Sequence, residues 1–158
     1  MTLTLEEQLV NRLIEKNWHI ACAESCTGGL IASRIVNVAN ASRVLDISFV
    51  TYANEAKIKY LGVSPSTILK YGVVSEEVAL EMVAGVAKEA GSEVAIAVSG
   101  IAGPGGGTEK KPVGMVCFGF YVNGKIITKT MQFGNPGRNE VRSSSTEFAL
   151  KTILELLS

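Results

Sequence analysis

The sequence has few of the residues on which most catalytic and metal sites depend. It contains one histidine, His19, and its three cysteines are odd in number and show no C-x-x-C spacing. A Ser-His-Asp triad and a zinc centre are therefore both disfavoured, and scattered carboxylates leave only magnesium open. No charged-then-apolar signal segment opens the chain, so we predict reduced thiols and a cytoplasmic protein.

Charge imbalance and long apolar runs are also lacking. Fifteen basic and fifteen acidic residues cancel to a formal net charge of zero, so the electrostatic footprint of a duplex nucleic-acid binder is missing. No uninterrupted apolar stretch is long enough to span a bilayer, which excludes membrane insertion. A small-molecule substrate or a protein partner is favoured. The 158 residues, 47% of them hydrophobic, predict one compact domain over residues 1–158 with a well-buried core.

Apolar periodicity and capping signals predict an alternation of helices and strands. A capping box over 4–7 begins the first helix, Asn54 caps the third, and a polar, Pro-containing connection follows Gly62. The predicted helices cover about 5–16, 31–38, 54–62, 75–91 and 137–157, and the predicted strands about 18–23, 46–52, 93–99, 113–121 and 125–133. Helices between the early strands and a hairpin late in the chain predict an α/β fold. We expect a three-layer α/β/α sandwich on a mixed, mostly parallel sheet with a late β-hairpin.

Ser25 lies in a turn that restricts the possible functions of the protein more than any other segment. The run Ala-Glu-Ser-Cys-Thr-Gly-Gly at 23–29 follows a short apolar strand and precedes an apolar-periodic helix. That position places a hydroxyl at a helix N-terminus, where backbone N–H groups can hold a phosphate or the oxyanion of an acyl-transfer intermediate. The alternative is that Ser25 or Thr27 is only an N-cap.

A serine nucleophile in this chain needs a base other than histidine, since His19 lies on a predicted core strand. Lys57 is the candidate, because the first turn of the helix after Asn54 should disfavour its charge and lower its pKa. The alternative is a lysine that points into water. Cys26 is a rival nucleophile, since a helix N-terminus lowers the pKa of a thiol, although no histidine is available to pair with it.

Two basic features could hold an anionic substrate. Arg138 and Arg142 lie four residues apart and share one face of the last helix, where they grip a phosphate or carboxylate or pair with nearby acids. The glycine run at 103–107 matches neither G-x-G-x-x-G nor a P-loop. The loop that contains it, with Lys110 and Lys111, still follows a strand's carboxyl end, where α/β sheets bind ligands.

Five motifs in order carry a specific resemblance that covers nearly the whole chain. They are Ala-Glu-Ser-Cys-Thr-Gly-Gly at 23–29, Phe-Val-Thr-Tyr-Ala-Asn-Glu-Ala-Lys at 49–57, Gly-Val-Val-Ser-Glu-Glu-Val-Ala at 72–79, Ser-Gly-Ile-Ala-Gly-Pro-Gly-Gly-Gly at 99–107 and Lys-Pro-Val-Gly at 111–114. Together they closely resemble the nicotinamide-nucleotide amidase family, also called the CinA C-terminal domain. The chain is similar to the stand-alone form, without the additional N-terminal domain of some relatives.

The resemblance implies hydrolysis of the carboxamide of nicotinamide mononucleotide to nicotinic acid mononucleotide and ammonia, a step of pyridine-nucleotide salvage. It implies no metal or organic cofactor. Carried over by motif, Ser25 is the nucleophile, Lys57 its base and Tyr52 a hydroxyl that orients them or relays protons between them. The substrate-binding residues that we expect are Cys26, Thr27, Gly28, Gly29, Ser99, Gly100, Arg138 and Arg142.

Some points stay open at the level of the sequence. Family members often have threonine where this chain has Ser99, and the family's basic residue on the last helix corresponds to either Arg138 or Arg142. We also expect a homo-oligomer, which the apolar content permits. Two other functions are possible hypotheses: a nucleotide- or partner-binding sensor with little hydrolytic activity, and an amidase for a different small amide.

Overall fold

The computed structural model describes residues 2–158, in which helices and strands alternate as the sequence pattern predicts. In chain order the elements are α1 Leu5–Lys16, β1 Ile20–Glu24, α2 Leu30–Val36, a 3₁₀ turn at Ala41–Arg43, β2 Leu45–Val50, α3 Asn54–Leu61, α4 Pro65–Tyr71, α5 Glu76–Ala90, β3 Val94–Gly100, β4 Met115–Val122, β5 Lys125–Gln132 and α6 Arg138–Leu156. Both halves of the capping box at α1 form, between Thr4 and Glu7.

The five strands form one mixed sheet in the order β2-β1-β3-β4-β5. β1 runs parallel to β2 and β3, while β4 is antiparallel to β3 and β5. Four of the five strands therefore point the same way, although only half of the neighbouring pairs are parallel. The late hairpin turns at Asn123 and Gly124, whose φ angles of 46° and 96° suit the tight turn of a two-residue loop. The predicted sheet and hairpin are confirmed.

Helices cover both faces of this sheet, which confirms the three-layer α/β/α sandwich. On one face α1, α2 and α6 bury residues such as Leu13, Ile35 and Leu150 against the sheet. On the other face α5 packs directly on β3 and β4, with Met82 fully buried. Gly119 of β4 permits this close approach, because a Cβ there would meet the Ala79 carbonyl oxygen at 2.6 Å. No helix within residues 2–158 is long and apolar enough to cross a membrane.

Two local predictions are wrong. The connection after Gly62 contains a helix, α4, which begins at Pro65 and buries none of its residues. The sequence pattern there lacks an apolar stripe, so periodicity gave no sign of it. Asn54 is also not the cap of α3: the N-cap is Ala53, and Asn54 is the first helical residue. Lys57 is consequently one position further into α3 than predicted.

Three strands end together at one edge of the sheet. The last residue of β1, Glu24, pairs in register with Val50 of β2 and with Val98 of β3. Ser25, Thr51 and Ser99 follow these three residues along the chain. The crevice outside the carboxyl ends of parallel strands is where open α/β sheets bind ligands, so the register gathers the candidate residues at that edge.

Candidate active site

Ser25 and Lys57 are in direct contact. Lys57 Nζ donates a hydrogen bond to Ser25 Oγ at 3.1 Å, and both residues are buried, with 1% of Lys57 and 8% of Ser25 exposed. The side chains come from different elements, the turn after β1 and the first half of α3. The structure therefore brings together the serine and the lysine that the sequence analysis paired, and Lys57 does not point into water.

Backbone carbonyls complete the surroundings of the lysine. Lys57 Nζ also donates to the carbonyl oxygen of Thr51 at 2.7 Å and to that of Tyr52 at 3.3 Å. Burial lowers the pKa of Lys57 to about 8, while the thiol of Cys26 acts in the opposite direction. The predicted direction of the pKa shift is confirmed. Its main cause is the removal of water from the amine rather than the dipole of α3.

Glu24 organises the turn after β1, and the sequence analysis missed it. Its carboxylate is fully buried and accepts hydrogen bonds from Thr27 Oγ1 at 2.7 Å, Gly29 N at 3.1 Å, Ile31 N at 3.0 Å and Ala32 N at 3.0 Å. The signal that could have found it is an acidic residue at the end of an otherwise apolar strand. A carboxylate buried there needs donors, and the helix N-terminus that follows supplies them.

Hydrogen bonds within the turn after β1 reduce the number of N–H groups that can bind an anion. Gly28 N donates to Ser25 O at 3.0 Å, and Gly29 N donates to Glu24. Gly28 and Gly29, two of the expected substrate-binding residues, therefore use their N–H groups within the turn. Across residues 2–158, the backbone N–H groups of Cys26 and Thr27 have no protein acceptor. Of these two residues only Cys26 lines the pocket, since Thr27 is fully buried, so the N–H group of Cys26 is the one in the turn that an oxyanion can reach.

The two arginines of α6 have different partners. Arg142 Nε donates to Cys26 O at 2.9 Å and one of its terminal nitrogens to Thr27 O at 3.2 Å, so this guanidinium holds the nucleophile turn from behind. A Cβ on Gly28 would lie 3.3 Å from the same guanidinium, which explains the glycine there together with its φ of 58°. Arg142 is thus a support of the turn, and Arg138 is the arginine at the pocket.

Arg138 links the last helix to both walls of the pocket. It donates to the carbonyl oxygen of Gly103 at 2.6 Å and to the hydroxyl of Tyr52 at 2.9 Å. Tyr52 is 60% exposed, and its hydroxyl faces Arg138 rather than the space between Ser25 and Lys57. The contact between Ser25 and Lys57 is direct, so this arrangement needs no tyrosine relay.

A pocket of about 270 Å³ opens above the serine and lysine. Seven of the sequence-predicted residues line it: Ser25, Cys26, Tyr52, Lys57, Ser99, Gly100 and Arg138. Thr27, Gly28, Gly29 and Arg142 lie outside the lining. Lys57 and Arg138 are the charged residues of the lining, which contains no carboxylate. The pocket is therefore suited to an anionic small molecule.

The glycine-rich loop forms the far wall of the pocket and is fastened to the rest of the protein. Lys111 Nζ donates to the carbonyl oxygens of Tyr71 and Val74, the latter at 2.6 Å, so its charge faces away from the pocket. Ser99 Oγ donates to Val73 O at 2.9 Å and so fixes the valine pair at 73–74 that borders the cavity. Neither Lys110 nor Lys111 is part of the pocket lining.

Cys26 is poorly suited to act as a nucleophile. Its thiol is 6% exposed, and burial raises its pKa to about 11, against the direction expected from a helix N-terminus. The protonated thiol, a weak nucleophile, therefore dominates near neutral pH. All three cysteines are unpaired. Within residues 2–158, no group of three or more histidine, cysteine, aspartate or glutamate side chains is placed to hold a metal ion.

These features define a class: a three-layer α/β protein with a buried serine–lysine pair under a positively charged pocket, at the carboxyl ends of its parallel strands. The sequence model of the CinA C-terminal domain matches residues 2–157. The chain belongs to this family, and the resemblance found in the sequence motifs is confirmed.

Individual relatives agree with this assignment. A protein of Enterobacter agglomerans named nicotinamide-nucleotide amidohydrolase PncC is 51% identical over 140 residues, which cover 88% of this chain and 85% of that protein. A CinA-like protein of Kosmotoga olearia is 50% identical over 154 residues, but the chain spans only 37% of its length. The crystal structure of the competence/damage inducible protein CihA from Agrobacterium tumefaciens is 38% identical, with a TM-score of 0.94 over the whole of both chains.

Proposed function

We propose that this protein is a nicotinamide mononucleotide deamidase that acts in pyridine-nucleotide salvage through a serine–lysine acyl-enzyme mechanism. The observation that carries the proposal is the contact between Ser25 and Lys57, with Lys57 also bonded to two backbone carbonyls. A neutral amine has two N–H groups and one lone pair. The three donated bonds correspond to the ammonium form. In the neutral form Thr51 O and Tyr52 O accept the two N–H groups, and the bond to Ser25 reverses, so that the hydroxyl donates to the lone pair.

Acylation begins with this lone pair. Neutral Lys57 takes the hydroxyl proton as Ser25 Oγ attacks the carboxamide carbon, so that the ammonium form appears only as the tetrahedral intermediate forms. A pKa of about 8 leaves a useful fraction of the amine neutral near physiological pH. It also keeps the protonated amine acidic enough to return its proton in the next step.

The backbone N–H group of Cys26 is the proposed oxyanion donor. Cys26 lies directly after the nucleophile and lines the pocket, and its N–H group has no protein acceptor among the described residues. Loss of one such donor typically lowers the rate by about 10²–10³-fold. Protonated Lys57 then gives its proton to the leaving nitrogen, the C–N bond breaks, and ammonia departs from the acyl-enzyme.

Hydrolysis of the acyl-enzyme reuses the same groups. Lys57, neutral again, takes a proton from a water molecule as the water oxygen attacks the ester carbon. Collapse of the second intermediate returns the proton to Ser25 Oγ and releases the nicotinate carboxylate. No step needs a metal or an organic cofactor.

The charge of the pocket supports a nucleotide substrate. Arg138 is the exposed cation of the lining and is held by Gly103 and Tyr52, so it is available to anchor the substrate phosphate. The name of the Enterobacter agglomerans relative supports the same substrate class, since the chain covers 85% of that protein.

Ammonia release from nicotinamide mononucleotide tests the proposal, with nicotinamide riboside as the substrate that lacks the phosphate. We expect release from the mononucleotide, a much slower reaction with the riboside, and loss of activity in Ser25→Ala and Lys57→Met. Cys26→Ala is the matched control at the neighbouring position and should stay active. Activity that survives in Ser25→Ala and disappears in Cys26→Ala would transfer the nucleophile to Cys26.

The other outcomes separate the rival functions. Release of ammonia from other amides but not from the mononucleotide would favour an amidase of different specificity. Binding of the mononucleotide without any release of ammonia would favour a sensor domain.

A further inference from the structure

The buried carboxylate of Glu24 has no cationic partner. The ion pairs within residues 2–158 join Arg12 and Arg34 to other acids, and none involves Glu24. Its charge is instead met by one hydroxyl and three backbone N–H groups. A fully buried ion held only by such donors depends on their number and direction, so the positions of the donors and of Glu24 are mutually fixed.

The donors are arranged around the nucleophile. Glu24 immediately precedes Ser25, and every group that it binds belongs to residues 27–32, which follow Ser25. The carboxylate therefore closes a loop that contains Ser25. If Ser25 were an ordinary N-cap, its own side chain would make the bond to the helix that follows, but here Glu24 makes those bonds and the Ser25 hydroxyl faces Lys57.

The hydrogen bonds of Glu24 also determine which backbone N–H groups can still bind a ligand. Glu24 occupies the N–H groups of Gly29, Ile31 and Ala32 at the start of α2. The N-terminus of that helix is thus filled by a side chain of the protein itself and cannot also receive a substrate phosphate. What is left of the turn is the pair of N–H groups at Cys26 and Thr27, and of these two residues only Cys26 lines the pocket.

We propose that Glu24 is a positioning residue, which holds Ser25 Oγ against Lys57 and occupies the N–H groups at the start of α2 that could otherwise bind the substrate anion. The proposal rests on the proposed function, since it assumes that Ser25 is the nucleophile. It requires that loss of the Glu24 contacts lowers the reactivity of Ser25 in protein that is still folded.

Glu24→Gln is the sharpest single change. Glu24 Oε1 accepts three of the four bonds, and Glu24 Oε2 accepts only the one from Ala32 N. Glutamine can keep its oxygen at the Oε1 position, but its amide nitrogen then faces the N–H of Ala32, donor against donor. Thr27→Val is milder, since it removes one donor and retains the charge and the side-chain volume, and Thr27→Ser restores the hydroxyl.

The reactivity of Ser25 is measured without the natural substrate, by its reaction with phenylmethanesulfonyl fluoride. Ser25 Oγ attacks the sulfur, fluoride leaves, and the hydroxyl proton passes to Lys57, so intact-mass spectrometry counts the sulfonylated protein over time. We expect the rate constant to fall about a hundredfold in Glu24→Gln and about tenfold in Thr27→Val, with Thr27→Ser near the wild type. In turnover assays kcat should fall similarly while KM stays within about twofold.

The outcomes distinguish the two proposals. If wild-type protein neither releases ammonia from nicotinamide mononucleotide nor is labelled at Ser25, the proposed function fails. If it releases ammonia without being labelled, an unchanged kcat in Glu24→Gln would overturn the positioning role. If wild-type protein is labelled but Glu24→Gln reacts with the same rate constant, the positioning role fails. A merely structural role would reduce the fraction of protein that can be labelled and leave the rate constant of that fraction unchanged. Should Glu24→Gln not fold, equal rate constants for Thr27→Val and Thr27→Ser would overturn the proposal.

Discussion

The ionisation of Lys57 should appear in both the activity and the stability of this protein. In the folded state its pKa is about 8, against 10.5 for an ordinary lysine. Between these two values the unfolded chain binds the proton that the folded protein has released, so the stability contribution of Lys57 rises as the pH rises. The shift corresponds to roughly 3 kcal/mol in total, of which about 1.3 kcal/mol is gained between about pH 7 and about pH 9.

The assay is urea unfolding followed by circular dichroism, with wild-type protein and Lys57→Met compared at each pH. The difference between the two proteins reports the lysine, because the buried thiols whose pKa values are raised, Cys22, Cys26 and Cys117, are common to both. Relative to the variant, wild-type protein should gain about 1.3 kcal/mol over that interval. Lys59→Met is the control on the same helix, since Lys59 is exposed, and it should match the wild type at every pH.

The pH dependence of the enzyme kinetics reports the ionisation of Lys57 independently. The ratio kcat/KM should rise about tenfold per pH unit below the pKa of Lys57 and level off above about pH 8. A stability difference that stays flat up to about pH 9, or an activity profile that still climbs at the pH of an ordinary lysine, would refute the reasoning that burial lowers this pKa.

Three further predictions follow from individual contacts. Arg138→Gln should raise KM for nicotinamide mononucleotide at least about tenfold and leave kcat/KM for the riboside unchanged, whereas equal losses on both substrates would remove Arg138 from the phosphate site. Tyr52→Phe should raise KM about fivefold through the lost bond to Arg138 and change kcat little; a hundredfold fall in kcat would restore a tyrosine relay. Gly85→Ala should destabilise the protein by about 1–3 kcal/mol in thermal unfolding, because its Cβ would lie 1.8 Å from the carbonyl oxygen of Leu61, while Gly105→Ala, with open space around it, should be neutral.

The sequence was informative at several points where local chemistry decides the structure, although the cap of α3 was misplaced by one residue. The capping box at Thr4, the helix start at Ser75 and the hairpin turn at Asn123 all depend on residues close in the chain, and all three are present in the structure. The helix α4 was missed because it packs no buried stripe: Leu69, for example, is 89% exposed. Only Ser64 and Pro65 at its start carried a local signal.

The candidate site could also be predicted only in part from the sequence. Ser25 and Lys57 could be paired from their motifs, and the structure brings them into contact. The separate tasks of Arg138 and Arg142 could not be assigned, because four residues along a helix is one turn and both side chains share a face. The pocket-side partners of Arg138 and the turn carbonyls bound by Arg142 come from distant segments of the chain. The role of Glu24 depends on its burial, which becomes visible only once β2 and β3 flank β1.

The pocket combines two kinds of electrostatic control that respond differently to the surrounding solution. The pKa of Lys57 is lowered chiefly because packing excludes water, and dissolved ions screen a residue that is only 1% exposed far less than one on the surface. Arg138 acts across solvent on an anionic ligand, an interaction that salt weakens. Changes in ionic strength should therefore alter the affinity for substrate but not the pKa at which Lys57 becomes a base. In an organism that faces fluctuating salt, the pH dependence of the chemical step would stay constant. The substrate concentration needed for a given rate would vary.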